Sequence, residues 1–447
     1  MSLKPPQGRK GTTASNVLNP LSTPKGQKFE CELCGRTALL QCRHCRVTYY
    51  CGKDHMNLDW VGIHEKICQL LVPLRSQPLI IGSEEERVRL QANLQKSQRA
   101  LIDLTRMEAT KFLVHGNYEH AIPGAVQALR FSLEVYGAGR IELVPCHLLL
   151  AEANLGLGRQ KQAEEYLSLA NWSILKNPDC SNRLKSQLYR NFGKLYASQG
   201  KYDEALRQLA NDIYFSSLQV GPDHVDTAGG FYYLATVFYL QKRVDCALAM
   251  CDKVVDTWYK HCMKHFNFQS QGGVAPEPLG DAQVMEGLQI LSKIVTLREE
   301  ALGIDHVSAG EACYTLALLY SYAKDTNKAR TLMKRALAVY RRELGDDHKS
   351  TQEVLASLED LGLSRLPSRS STALGGGQAD DEELDLAQAA GMAQDGAQVG
   401  GDFLDDAEER EEGEGAQSPP QPKADPAPAP APDAKPQSKP GTPADAG

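Results

Sequence analysis

The chain has no run of about 18 apolar residues, so no membrane-crossing helix is expected. Its first residues lack an apolar signal core, and no secretion signal is expected. Without one, the twelve cysteines do not argue for disulfides; clustered cysteines in a reducing compartment are more often metal ligands. There is no dense basic stripe of the kind that tracks nucleic acid. No glycine-rich phosphate loop leads into Lys-Ser or Lys-Thr, and there is no Gly-x-Ser-x-Gly nucleophile elbow. These absences leave a non-catalytic protein whose chemistry sits elsewhere. What is present is ample: 447 residues, 42% hydrophobic, enough for two or three domains with a sizeable core.

Charge is segregated. From Ser371 onward there are 17 acidic and 4 basic residues, a net of −13, so the remainder carries +6 of the overall −7. Residues 369–447, with Gly375-Gly376-Gly377, an acidic block over 402–414 and a Pro/Ala run from Pro419, bury too little apolar surface to fold and read as a disordered tail. Residues 1–28 contain Lys4, Arg9, Lys10, Lys25 and Lys28 and no acid, and read as a disordered basic leader.

Between these ends runs a 42-residue ladder. Small residues stand at Ala109, Ala151, Gly193 and Ala235, and again at Ala121, Ala163, Ala205 and Ala247. Turn positions keep step at Gly116, Gly158, Gly200 and Lys242. Both rails return at Ala317 and Ala329, and Gly303-Ile304-Asp305-His306 recurs 42 residues later as Gly345-Asp346-Asp347-His348. Fixed self-similarity marks stacked units rather than one globular core. Within a unit, Gly193 and Ala205 let two antiparallel helices cross closely, and Gly200 permits the left-handed turn between them. The order of small residue, aromatic, turn glycine, aromatic and alanine resembles the tetratricopeptide repeat (TPR), whose usual unit is about 34 residues. The longer unit with Leu-Gly-x-Asp-His connectors resembles the kinesin-light-chain variety. The expected fold is therefore all-α over 84–362: hairpins at 101–134, 143–176, 185–218, 227–260 and 309–342, a lone second helix at 283–302, and a cap at 350–361. The resemblance implies a right-handed superhelix with a concave groove. Ser83 followed by Glu84, Glu85 and Glu86 predicts the first N-cap. Residues 69–83 read as a linker, and 262–281 as a loop where a first helix is due.

The strongest chemical signal lies between Cys31 and Cys68. Cys31 and Cys34 form one CxxC, Cys42 and Cys45 a second; Cys51, His55, His64 and Cys68 follow. Eight such ligands in 38 residues suit two tetrahedral, closed, structural zinc sites. So short a segment needs the metal to fold. The spacing, with Tyr50-Cys51 and Asp59-Trp60, resembles the MYND zinc finger. That resemblance implies cross-braced pairing: Cys31, Cys34, Cys51 and His55 on one zinc, Cys42, Cys45, His64 and Cys68 on the other. His55 stands where most of the family has cysteine, and the stretch from Trp60 to His64 is one residue longer than usual. His44, inside the second CxxC, is a spectator. Two readings of the finger stay open: a peptide-docking surface near Tyr49, Trp60 and Gln69, or a zinc-stapled cap on the repeats.

MYND fingers also occur in SET-domain methyltransferases, but their Asn-His-Ser-Cys motif is missing. The finger-then-repeats order, with Thr48-Tyr49-Tyr50-Cys51-Gly52, His64-Glu65-Lys66-Ile67-Cys68 and Leu209-Ala210-Asn211-Asp212-Ile213, resembles the MYND-and-TPR proteins of motile cilia. It implies an axonemal scaffold associated with other axonemal TPR proteins and dynein-related machinery, with no nucleic acid, membrane or small-molecule substrate. The alternative is a transcription cofactor whose finger binds Pro-rich peptides.

Overall fold

The computed structural model describes residues 15–18, 28–76, 83–271 and 278–363, with the side chains of 267–271 and 362–363 left aside. The expected tail over 369–447 lies outside the described residues, as does most of the 1–28 leader. Ser15–Val17 departs from the expected disorder: it is strand β1, antiparallel to β2 (Leu40–Cys42), which pairs in turn with β3 (Tyr49–Tyr50). Three ladder residues, extended by Leu18 N–H donating to the Leu39 carbonyl at 2.9 Å, hold the strand.

After this sheet come α1 (Lys53–Asp59), a π-helical turn (Trp60–His64), α2 (Glu65–Ile67) and α3 (Val72–Arg75). The extra residue between Trp60 and His64 is absorbed here, since a π turn inserts one residue into an otherwise continuous helix. The expected linker over 69–83 is corrected in its first half: α3 is helical, and its Arg75 reaches back to the finger.

The repeats follow: α4 (Glu84–Val114), α5 (Tyr118–Tyr136), α6 (Val144–Gly156), α7 (Gln160–Lys176), α8 (Asn182–Ser198), α9 (Tyr202–Val220), α10 (Val225–Leu240), α11 (Val244–Gln271), α12 (Asp281–Leu302), α13 (Val307–Tyr322), α14 (Thr326–Glu343) and α15 (Lys349–Leu363). Successive helices pair as antiparallel hairpins, α4 with α5 through α10 with α11, then α13 with α14. Ser83 Oγ accepts from Glu86 N–H while Glu86 reaches back to Ser83 N–H, a complete capping box. The expected loop over 262–281 is corrected over 262–271: α11 continues to Gln271, with Cys262 buried in the C-terminal core cluster, while 272–277 lie outside the described residues and 278–280 are not helical.

The ladder is a packing device. Every alanine on both rails is buried. A Cβ on Gly193 would lie 2.6 Å from Leu209 Cγ and Cδ2, so the α8–α9 crossing admits no side chain there. The hairpin turns take positive φ at Gly116, Gly158 and Gly200, and keep it at Lys242 and Lys324, where no glycine is available. His224, His306 and His348 recur because each Nδ1 accepts from the N–H two residues on and caps the next helix, at 3.2, 3.1 and 3.2 Å.

Candidate metal centre

Both CxxC turns close alike. Gly35 N–H donates to the Cys31 carbonyl at 3.0 Å, and Arg46 N–H to the Cys42 carbonyl at 3.1 Å. Gly35 and Arg46, each four residues after the first cysteine, take left-handed backbone (φ 67° and 60°) to make the turn. The strands then bring the distant ligands in. Cys31, Cys34, Cys51 and His55 form one group, and Cys42, Cys45, His64 and Cys68 a second; within each, the ligand atoms lie within 4.8 Å of one another. His44 belongs to neither; its ring lies 5.4 Å from that of Trp60.

The donor geometry fits zinc. A Zn–S bond of about 2.3 Å in a tetrahedron sets ligand atoms about 3.7 Å apart. The observed separations bracket that value: Cys34 Sγ–Cys51 Sγ 3.6 Å, Cys42 Sγ–Cys68 Sγ 4.0 Å, Cys45 Sγ–His64 Nε2 3.7 Å, Cys31 Sγ–His55 Nδ1 3.4 Å and Cys51 Sγ–His55 Nδ1 3.3 Å. Three thiolates and one imidazole would hold each ion, through Nδ1 of His55 and Nε2 of His64, with no position left for water. Zinc bound there supplies folding free energy and no reaction chemistry. The second group is wholly buried, whereas Cys34 of the first is exposed.

Supporting residues surround the second group. Asp59, fully buried, faces His64 Nδ1 at 3.7 Å and accepts from Tyr50 Oη at 2.6 Å. Its charge lies on the Nδ1 side of the ring and favours a proton there, with Nε2 facing Cys45. Thr48 Oγ1 lies 3.1 Å from Cys45 Sγ.

Sequence reasoning missed the residue that joins the finger to the repeats. Glu32, between Cys31 and Cys34, is 6% exposed. Its carboxylate accepts from Arg75 Nη1 at 2.5 Å, from Gln127 Nε2 at 2.9 Å, and from Arg130; Arg130 Nη2 also donates to the Glu32 carbonyl at 3.1 Å. Burial works against its charge, but Arg75 and Arg130 outweigh it and hold the carboxyl below its ordinary value. Beside it, Ile63, Ile67 and Leu71 form one buried cluster with Leu101, Ile102 and Phe131 of the first hairpin. Gly62 comes so close that a Cβ would lie 2.8 Å from the His120 carbonyl and 2.9 Å from Pro123. Lys66 pairs with Glu108. The cap reading therefore has a contact surface, while Gln69, Val61 and Leu70 stay exposed and Tyr49 and Trp60 half-buried. The only sequence signal for this contact was an acid inside a CxxC, a residue type that by itself names no partner.

Comparison with known proteins agrees with this geometry. The MYND finger model matches residues 31–68, and a tetratricopeptide repeat model matches 311–349. The chain carries a MYND finger followed by TPR repeats. Egl nine homolog 1 of Mus musculus is 41% identical to it over 59 residues, 13% of this chain and 14% of that protein; the Homo sapiens protein is 48% identical over 40 residues, 9% of each. The chain thus spans about a seventh or less of the length of these curated relatives. Among solved structures, the nearly identical TPR-like repeats of a Podosopora anserina kinesin light chain share 15% identity, covering 56% of this chain and 98% of that one at a TM-score of 0.29. BtubC (BKLC) from P. vanneervenii shares 13%, covering 62% and 99% at a TM-score of 0.34.

Proposed function

We propose that this chain is a non-catalytic scaffold of the axoneme in motile cilia or flagella. It would act there with other axonemal TPR proteins and dynein-associated components. The observation that carries the scaffold part is the buried Glu32 contact: it fixes the finger to the first hairpin, so finger and repeats offer partners one rigid surface. Both modules are protein-interaction domains, and each zinc group is closed by four protein ligands. The ciliary setting is supported by the resemblance of the finger and first four repeats to MYND-and-TPR proteins of motile cilia. The test is quantitative mass spectrometry of isolated cilia after detergent extraction. The reading expects the chain to stay on the axoneme until high salt, with crosslinks to TPR or dynein-associated neighbours. Finding it absent from cilia and present in nuclei or cytosol would sink the setting, and leave the peptide preference of the finger as the question.

A further inference from the structure

The finger rests on one side of α5. Gly62 comes up against Pro123, and Glu32 accepts from Gln127 and Arg130. These α5 positions are four and three residues apart and so line one helical face. One step of 42 residues on, the same positions of α7 are Glu165, Leu169 and Trp172; a second step reaches Arg207, Asn211 and Tyr214 in α9. There the face is uncovered among the described residues. Leu169, Trp172 and Leu175 on α7, with Tyr214 and Leu218 on α9, stay between 49% and 71% exposed. At a third step the last two positions are Lys253 and Asp256 of α11, which are charged and paired, with Asp223 and Lys260. The apolar stretch is therefore two second helices wide, with the finger on one side and ion pairs on the other. Single exposed apolar residues are ordinary, but five large ones on neighbouring hairpins mark a contact surface.

The surface is braced. A Cβ on Gly139 would lie 2.9 Å from the Trp172 indole, and Lys176 Nζ sits 3.4 Å from the centre of that ring. An aromatic held this way has little rotamer freedom left to lose on binding. Lys185 ties the two ridges together. Its Nζ donates to the Pro178 carbonyl just after α7 at 2.6 Å and lies 5.6 Å from the Phe215 ring of α9, which meets the Tyr214 ring at 5.2 Å. Among the described residues no carboxylate pairs with Lys176 or Lys185, and the exposed Asp179 between them in sequence pairs with neither.

This rim selects the occupant. A second copy laid on the face by two-fold symmetry would bring the same cations together. A partner carrying carboxylates would instead be drawn to them. The finger shows the geometry on α5: its helical stretch buries Ile63 and Ile67 against the first hairpin, while the Glu32 carboxylate is answered by Arg130. We propose that the outer face of α7 and α9 is a docking surface for a helix of a partner protein, with an apolar side for Leu169, Trp172 and Tyr214 and carboxylates for Lys176 and Lys185. This deepens the scaffold reading and rests on it, though not on where in the cell the chain works.

The test uses the zinc-loaded full chain and a displayed library of single-helix peptides. Peptides that also bind the Trp172→Ala, Tyr214→Ala double variant are subtracted, which removes those seated on the concave face or the finger. The survivors should carry apolar residues at helical spacing with Asp or Glu beside them. Trp172→Ala alone should weaken them by at least about 10-fold, the scale of losing an aromatic anchor. Lys176→Glu should weaken them by about 10-fold, and exchanging the peptide's acid for lysine should restore binding to that variant. No surviving peptide, or survivors that lack an acid and ignore Lys176→Glu, overturns the proposal. Self-association of the unaltered chain in sedimentation that Trp172→Ala abolishes also overturns it, by giving the face to a second copy. Circular dichroism and zinc content should match across the chains, since every altered residue is exposed. All readouts use purified protein, so they stand or fall separately from the cilia fractionation.

Discussion

Removing the Glu32 carboxylate should loosen the finger from the first hairpin. In Glu32→Ala, Arg75 and Arg130 lose their shared acceptor and Gln127 loses its partner at 2.9 Å. Breaking a buried ion pair from one side costs about 3–5 kcal/mol, whereas exposed pairs contribute about 1 kcal/mol or less. The glutamate is buried, but the side chains of Arg75 and Arg130 keep 20% and 38% exposure and can recover water. The expected cost lies between, at about 2 kcal/mol, or about 30-fold in a local opening equilibrium. Native-state hydrogen exchange of the zinc-loaded chain is the assay, because it places the loss in the structure rather than in a global midpoint. Exchange should rise at Ala125–Phe131 in α5 and at Cys31–Gly35, and stay unchanged from α8 onward. Glu32→Gln should show a smaller rise, since an amide still accepts one bond. A double-mutant cycle with Arg130→Ala should return a coupling above about 0.5 kcal/mol. Unchanged exchange in α5, with both zinc ions retained, would refute the claim that this contact locks the finger to the repeats.

Other outcomes follow from the same structure. Gly193→Ala should destabilise the chain by about 1–3 kcal/mol through the clash with Leu209, and the double variant with Leu209→Ala should cost less than the sum of the two single changes, because the clash is gone; chemical denaturation reads all three. Lys324→Gly should stabilise by about 1 kcal/mol, because φ there is +64° and only glycine takes it without strain, as a shifted thermal midpoint will report. Metal analysis should find two zinc ions per chain, with His44→Ala keeping both and Cys45→Ser losing one. A chelator should remove the ion at Cys31, Cys34, Cys51 and His55 first, since Cys34 is exposed while the other group is buried; simultaneous release in stopped-flow chelation would count against that order.

The repeats were legible because their signal is local and repeated. Close helix crossing needs small residues at Ala109, Ala151, Gly193 and Ala235, and a tight turn needs positive φ at Gly116, Gly158 and Gly200, so geometry prints itself at a fixed step. The two zinc groups were legible because sulfur and imidazole at CxxC spacing have few other uses. The extra residue before His64 was visible as a length, but its accommodation as a π turn was not. Strand β1 was hidden inside a composition that reads as leader, since three residues of pairing leave no periodic trace.

By itself, then, the sequence determined the all-α repeat array, which cysteines and histidines gather into two groups, and the turn residues, all set by interactions within about one unit. Only the tertiary structure decided what Glu32 does, and that Gln289 of α12 donates to the Val114 carbonyl. One is an acid on a zinc knuckle and the other a glutamine on a rail of alanines, and neither residue type names its partner. Their partners lie 95 to 98 and 175 residues away for Gln127, Arg130 and Val114. Contacts at that separation depend on how many hairpins stack between the partners and where the stacking skips a helix, which no local pattern records.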